Sequence, residues 1–204
     1  MGDLRSGLSD FGSGVATPVE ISSTTRFDGH AFGVESVTLE RDGKLFVRDI
    51  VRHAPCVNIF AYDTETKSVL LEREFRIGCG KVTTGLPAGY IDPDEIGRGG
   101  DFEKAAAERE LREETGFVLD SGECVVTASI YTSEGCSDEA TTPVIMCGRF
   151  RQVGTDFDEM EDIASAWVPI DDVIRMADDG TITGAASVIS VYRGIRYIRG
   201  ELSL

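Results

Sequence analysis

An α+β fold, a mixed β-sheet packed between helices, is what this 204-residue sequence predicts. Three observations carry the prediction. Stretches of alternating apolar and polar residues lie both before and after one central helical stretch, two more helical stretches close the chain, and no internal repeat divides it. The length is sufficient to bury one sizeable core.

Residues 1–24 are rich in Gly, Ser and Asp and read as a flexible tail. From Thr25 onward the text becomes strand-like. "HAFGVESVTLE" and "KLFVRDIVRH" alternate around the turn "RDGK", a β-hairpin signature, so residues 25–51 form an N-terminal β region. "CVNIFAYD" and "SVLLEREF" repeat the pattern around "DTETK" and open the main domain, residues 52–204. Phe102 to Thr115 reads as a helix, with Asp101 placed to cap its start and Gly116 to end it. "ECVVTASIYTS", "TTPVIMCGRFRQV" and the short "ASAWVPI" supply further strands. "IDDVIRMADDG" and "AASVISVYRGIRYIRG" then give two closing helices.

Composition narrows the function. Acids outnumber bases 36 to 20, and the net charge of −16 argues against a nucleic-acid or anionic membrane partner. An anionic substrate needs local cations in such a chain. No apolar run approaches the roughly 18 residues of a membrane span, and the first residues lack the basic start and apolar core of an export signal, so a cytoplasmic setting is expected. Five cysteines, an odd number without a CxxC pair, read as reduced and mostly buried thiols. His30 and His53 make no ligand pair by spacing, and Trp167 reads as a packing residue.

Inside "AAAERELREETG" the charges sort by helical spacing, because residues four apart lie one above another. Glu108 then meets Arg112, and Arg109 meets Glu113. Glu110 faces Glu114 with no base at the neighbouring turn positions. Such a pair is either a solvated acidic face or a place for a cation, and carboxylates joined by backbone oxygens suit Mg²⁺ or Mn²⁺.

These residues carry a family resemblance. "RELREETGF", residues 109–117, and "GYIDPDE", Gly89 to Glu95, resemble the two halves of the Nudix box of the Nudix hydrolases. The box has seven residues between its Glu and its Arg; Ile96 to Glu108 supply thirteen, so about six residues, "IGRGGD", are inserted before the helix. Either Glu95 keeps the acidic position across a longer loop, or Asp101 takes it. The resemblance implies an α/β/α sandwich and metal-assisted hydrolysis of a nucleoside diphosphate linked to another group. It further implies Glu110 and Glu114 as metal ligands for Mg²⁺, or Mn²⁺, with Glu113 a further ligand held by Arg109 and the Ala88 carbonyl completing the set.

Beyond the box, "LLEREFRIG" before "LPAG" resembles the "RQYR" and "ELPAG" segments of ADP-ribose and other ADP-sugar pyrophosphatases. By that likeness Arg76 and Arg73 bind substrate phosphates, where a guanidinium forks two oxygens. The other reading of these arginines is a strand-edge pairing with Glu72 or Glu74. "YTSEGCSDE" resembles the group's loop that carries a glutamate proposed as general base, here Glu139. A box glutamate is the alternative base, so Glu139, Glu113 and Arg109 are the catalytic candidates. Two departures are Glu134, where the group has proline, and Gly85, where it has Glu before "LPAG". Phe27, Phe32, Phe46 and Tyr90 are candidates for stacking a base, each also readable as core. ADP-ribose, cleaved to AMP and ribose 5-phosphate, is the leading substrate. Another nucleotide sugar or nucleotide, or a non-catalytic domain that senses a nucleotide, are the alternatives. The group also pairs through the N-terminal β region, which implies a homodimer.

Overall fold

The computed structural model describes residues 15–156 and 162–202. The chain divides into two compact units, with the boundary between Arg52 and His53. In the first, strands β1 (Val19–Asp28), β2 (Phe32–Arg41) and β3 (Lys44–His53) form a three-stranded sheet in that order. Asp42 and Gly43 both take positive φ, 54° and 74°, as a two-residue hairpin turn of the primed type requires. β1 begins inside the segment expected to be tail; its run of β-branched and hydroxyl residues pairs antiparallel with β2 from Val19↔Glu40 to Asp28↔Gly33. Residues 1–14 of the expected tail lie outside the described residues.

The second unit is built on an eight-stranded mixed sheet. Its spine runs β11 (Ala164–Pro169), β5 (Ser68–Arg76), β4 (Cys56–Asp63), β10 (Ala140–Gln152), β8 (Phe117–Val126). β4 and β10 are parallel; the other spine pairings are antiparallel. The central strands are apolar on both faces, as strands covered on both sides must be. Val57, Ile59 and Ala61 of β4 join Val144 and Met146 of β10 under helix α2 (Phe102–Thr115), which contributes Ala106, Ala107 and Leu111. The intervening Phe60 and Ile145 face the opposite cluster with Val173 of α3 (Ile170–Asp178) and Val191 and Ile195 of α4 (Ala185–Ile198). A Cβ on Gly194 would stand 2.3 Å from the Phe60 ring, so glycine there lets α4 approach the sheet. The result is the expected three-layer α/β/α arrangement.

Several details differ from the sequence-based expectation. "ECVVTASIYTS" is not one strand: β8 starts at Phe117 and the short β9 (Ile130–Tyr131) follows separately. The strands β6 (Lys81–Gly85) and β7 (Ala88–Tyr90), and the helix α1 (Pro93–Arg98), were not expected. The five cysteines are free, as expected, but none is fully buried; Cys79 and Cys136 are exposed. Trp167 packs edge-on against Phe117, with ring centroids 5.4 Å apart.

One feature of the sheet opens the site. β4 and β5 pair only at Tyr62↔Val69 and Asp63↔Ser68 and then part. Beyond that point β5 pairs with β6 and β4 with β7, so "GLPAG", residues 85–89, crosses from one ladder to the other. Leu86 anchors the crossing at 1% exposure, and the Pro87 carbonyl accepts the Ile59 N–H at 2.8 Å.

Candidate active site

The parting of β4 and β5 leads into a cavity of about 1000 Å³, lined by both strands, the crossing segment, α2, the loop before β10 and the start of α4. Eight of its lining residues are acids and two, Arg76 and Arg109, are arginines. An anionic ligand cannot enter such a cavity on arginines alone, so the acids must be offset by cations.

α2 delivers Glu110, Glu113 and Glu114 to the cavity and Arg109 beside them. Leu111 and Thr115 hold the helix down on the sheet, and Gly116, in the left-handed conformation at φ 70°, ends it. Glu114 is 5% exposed and accepts the Ala88 N–H at 3.2 Å. Glu110 lies against Gly89 so closely that a Cβ there would sit 2.0 Å from its carboxyl carbon. The glycine that opens the box is thus the floor beneath a carboxylate.

Arg109 is committed to protein acceptors. Its Nε donates to Glu95 at 3.0 Å, and Nη2 reaches the second Glu95 oxygen at 3.2 Å and the Tyr90 carbonyl at 2.8 Å. Nη1 reaches Glu110 at 2.8 Å and Glu113 at 3.2 Å. Helical spacing alone gives Glu110 no cation; the long Arg109 side chain folds back to it, although adjacent helix residues do not normally face each other. Among the described residues Glu108 approaches Lys104, at 4.0 Å, rather than the expected Arg112. Between the two acidic candidates left open by the sequence, Glu95 forms the Arg109 fork, while Asp101 stands at the start of α2 without a side-chain cap. α1, whose third residue is Glu95, runs on into the insertion for its last three residues, and the chain turns back at Gly99 and Gly100, both at positive φ.

Glu72 is a functional candidate that the sequence reading missed, having considered it only as a partner for Arg76. It is 3% exposed and lines the cavity beside the Glu114 carboxyl. Its Oε2 is buried without a hydrogen-bond partner. Burial pushes the Glu72 carboxyl well above the usual carboxylate range, against the pull of Arg76; burial and then Glu72 and Glu110 do the same to Glu114. Gly85, where the resembled group reads Glu, lies directly opposite Glu72 in the β5/β6 ladder, so a carboxylate stands on the neighbouring strand beside that position. A usable signal did exist: Glu72 is in phase with core-facing Leu70 along β5.

The same alternation separates the two arginines. Glu72, Glu74 and Arg76 line the cavity; Arg73, one residue out of phase, does not and is exposed. Arg76 Nη2 stands 2.8 Å from Glu74 and 3.7 Å from Glu72, so lining the cavity and pairing with neighbouring acids occur together. Glu139 lines the cavity and accepts the Thr132 hydroxyl at 3.1 Å, while Glu134 is exposed and outside the lining. Of the four aromatic candidates only Tyr90 lines the cavity. Ser187, at the start of α4, was also missed; its Oγ accepts the Leu86 N–H at 3.1 Å.

The donor set fits a hard divalent ion. Glu72, Glu110 and Glu114 line one cavity, with a buried oxygen left over on Glu72, and Mg²⁺ prefers such oxygens while keeping waters and gripping phosphates.

A model of the NUDIX domain matches residues 52–188, well over half of the chain, and the chain belongs to the Nudix family. Among known proteins it is similar to the methanol dehydrogenase activator of Bacillus methanolicus, 29% identical over 153 residues, covering 74% of this chain and 77% of that protein. It is similar also to the ADP-ribose pyrophosphatase of Bacillus subtilis (strain 168), 26% identical over 160 residues, 78% of this chain and 80% of that one. A crystal structure of an ADP compounds hydrolase matches with a TM-score of 0.74 over 92% of this chain and 98% of that chain; at 22% identity this likeness shows the shared fold.

Proposed function

We propose that the chain hydrolyses the pyrophosphate bond of a nucleoside diphosphate sugar with the help of Mg²⁺, and that ADP-ribose, giving AMP and ribose 5-phosphate, is its substrate. The observation that carries this reading is the buried pair Glu72 and Glu114, with the unpartnered Glu72 oxygen and the partly buried Glu110 lining the same cavity, where acids outnumber arginines. The similarity to the B. subtilis ADP-ribose pyrophosphatase supports the substrate.

Glu110, Glu114 and Glu72 hold the metal, with Glu113 and the Ala88 carbonyl at its margin; Mn²⁺ is the other ion that suits these oxygens. When bound, the ion offsets charge on the pyrophosphate and polarises the attacking water. The chain's own groups do the rest. Arg109 positions Glu110 and Glu113 through its fork to Glu95 and does not itself touch substrate. Arg76, half-exposed at the cavity, turns from Glu74 to a phosphate oxygen, a charge-assisted contact. Arg73 is excluded from this role by its place on the opposite face of β5. Glu139, held by Thr132 on a loop, accepts the water's proton as general base, a task that needs reach and a free lone pair.

A homodimer joined through the N-terminal sheet is part of the proposal. Val19, Ile21 and Phe27 on β1, and Leu45 and Val47 on β3, are each more than half exposed, which supports a covered face there. Light scattering showing a monomer at micromolar concentration would remove it. Five free thiols support a cytoplasmic setting, and among the described residues no helix is long and apolar enough to cross a membrane. The cavity's acids and the net charge of −16 speak against nucleic acid as substrate.

A second reading, a nucleotide-sensing domain that acts on a partner protein, is favoured by the similarity to the methanol dehydrogenase activator. Phosphate-release profiling against ADP-ribose, other ADP-, GDP- and UDP-sugars and nucleoside triphosphates, with Mg²⁺ and with chelator, decides. Metal-dependent cleavage strongest for ADP-ribose is the expected result. Preference for another sugar nucleotide moves the substrate, and binding without turnover selects the second reading.

A further inference from the structure

Along the same cavity lies a second cluster of ligating atoms with different chemistry. One ligand atom from each of His53, Cys56 and Glu139 lies within 4.8 Å of the other two. The topology creates this grouping. β4 and β10 run parallel with Thr141 opposite Cys56, so the start of β4 and the end of the loop before β10 emerge side by side. Asp138 ties that loop to β4's entry by accepting the His53 N–H at 2.9 Å. Next to it, Glu139 accepts the Thr132 hydroxyl and donates its own N–H to Ser137 Oγ at 3.1 Å, which holds the carboxylate in place.

The histidine is oriented as well. His53 Nδ1 lies 2.9 Å from the Ala54 carbonyl, which can only accept, so the ring proton belongs on Nδ1 and Nε2 keeps its lone pair. A carbonyl on one ring nitrogen is the arrangement that fixes the tautomer of ligating histidines. The Tyr90 hydroxyl stands 3.3 Å from Nε2 and can rotate away.

We infer that His53, Cys56 and Glu139 form a binding site for a borderline-soft divalent ion of the Zn²⁺ class, separate from the all-oxygen cluster of Glu72, Glu110 and Glu114. Imidazole, thiolate and carboxylate suit Zn²⁺, whereas Mg²⁺ has little use for sulfur or nitrogen. Ligand bonds of about 2.0–2.3 Å around a tetrahedral ion set ligand atoms roughly 3.5 Å apart, so side-chain rotations of about 1 Å close the site. Three protein ligands leave a fourth position for water or a substrate oxygen. Binding forms a metal–sulfur bond and releases the thiol proton to solvent. Under the proposed function Glu139 is the base, and an ion that takes its lone pair inhibits hydrolysis; this consequence rests on that reading, but the site does not.

Cobalt, a spectroscopic stand-in for zinc, tests the site without any assay of activity. The full chain in excess Mg²⁺ is titrated with Co²⁺ and its absorption recorded. The expected result is a saturable sulfur-to-cobalt band in the near ultraviolet, displaced by Zn²⁺. It disappears in Cys56→Ser and in Cys56→Ala, weakens at least several-fold in His53→Ala and persists in Glu114→Gln. Since Cys79 and Cys136 are exposed thiols, the band must also persist when both are changed to alanine. No such band, or one that survives loss of Cys56, overturns the inference, whether or not the protein cleaves a nucleotide sugar.

Discussion

Glu72 and Glu114 are two carboxyls placed side by side out of water, an arrangement that a proton or a cation must resolve. Glu72→Gln removes one negative charge without removing volume. We expect its Mg²⁺ requirement for turnover to rise about tenfold or more, about the loss seen when groups that support a metal site are changed; an unchanged Mg²⁺ dependence contradicts a role in metal binding. Gly89 makes a sharper steric point. In Gly89→Ala the new methyl meets Glu110 and moves its carboxylate by about an ångström, enough to lower kcat about 100-fold while the melting profile stays close to wild type. Activity within a factor of two of wild type would show that Glu110 need not sit there. What the sequence revealed at this scale follows locality. Glu110, Glu113, Glu114 and Arg109 share one helix, so spacing alone brings them together. Strand parity with Leu70 marks Glu72 as inward-facing, but its meeting with Glu114, the place of Ser187 and the approach of His53 to Glu139 depend on contacts between distant segments, which no local pattern encodes. Arg73 is an intermediate case: strand parity was readable in "LLEREFR", and it separates Arg73 from Arg76.

At the scale of elements, the box is a two-part device joined by one side chain. α1 carries Glu95, α2 carries Arg109, and the fork between them fixes the helix that bears the remaining acids. The inserted residues therefore extend the connection without moving Glu95 from its partner, since surface loops absorb added length at small entropic cost. Glu95→Gln loses the charge of the fork and is expected to lower kcat about 10- to 100-fold. Asp101→Asn, which changes no contact of Arg109, is expected to stay within about twofold; steady-state kinetics of the pair tests the assignment, and the reverse order would return the role to Asp101. The helices and long strands were legible because their periods are long enough to read. β6, β7 and α1 were not, being three to six residues each in a glycine-rich stretch. α1 nevertheless carried a signal in "DPDE": proline at the first helical position and an acid that reaches back to the Asp92 N–H at 2.8 Å.

For the molecule as a whole, the acid cluster links stability, pH and metal. Both Glu72 and Glu114 have folded-state pKa values raised above the ordinary value of 4.5, chiefly by burial. The sign follows from proton binding. Below about pH 4.5 both carboxyls are protonated whether the chain is folded or not, and their contribution is fully present. As pH rises from there, the unfolded chain releases protons that the folded chain retains, so the contribution is progressively lost until the folded values are passed. In chelator, the melting temperature should therefore fall between about pH 6 and 9, less steeply in Glu72→Gln than in wild type. Added Mg²⁺ should raise it, and by more at higher pH, because the ion binds the ionised cluster. Equal slopes for wild type and variant in chelator would remove the cluster as the cause. The three-layer architecture was legible in the order of the elements. The cavity was not, because it arises where β4 and β5 part, and that depends on a third and fourth strand entering between them.

Everything proposed for this chain turns on the carboxylates of α2 and β5 acting as a metal-dependent hydrolytic centre. Its most direct test is the rate of ADP-ribose cleavage by wild type and Glu114→Gln over a range of Mg²⁺ concentrations, with circular dichroism to verify the fold of each. The expected result is cleavage by wild type that vanishes in chelator, and a folded variant at least about 1000-fold slower at saturating Mg²⁺, a loss of about 4 kcal/mol in transition-state stabilisation. A folded Glu114→Gln protein that turns over at the wild-type rate, or wild-type cleavage indifferent to chelator, would contradict it.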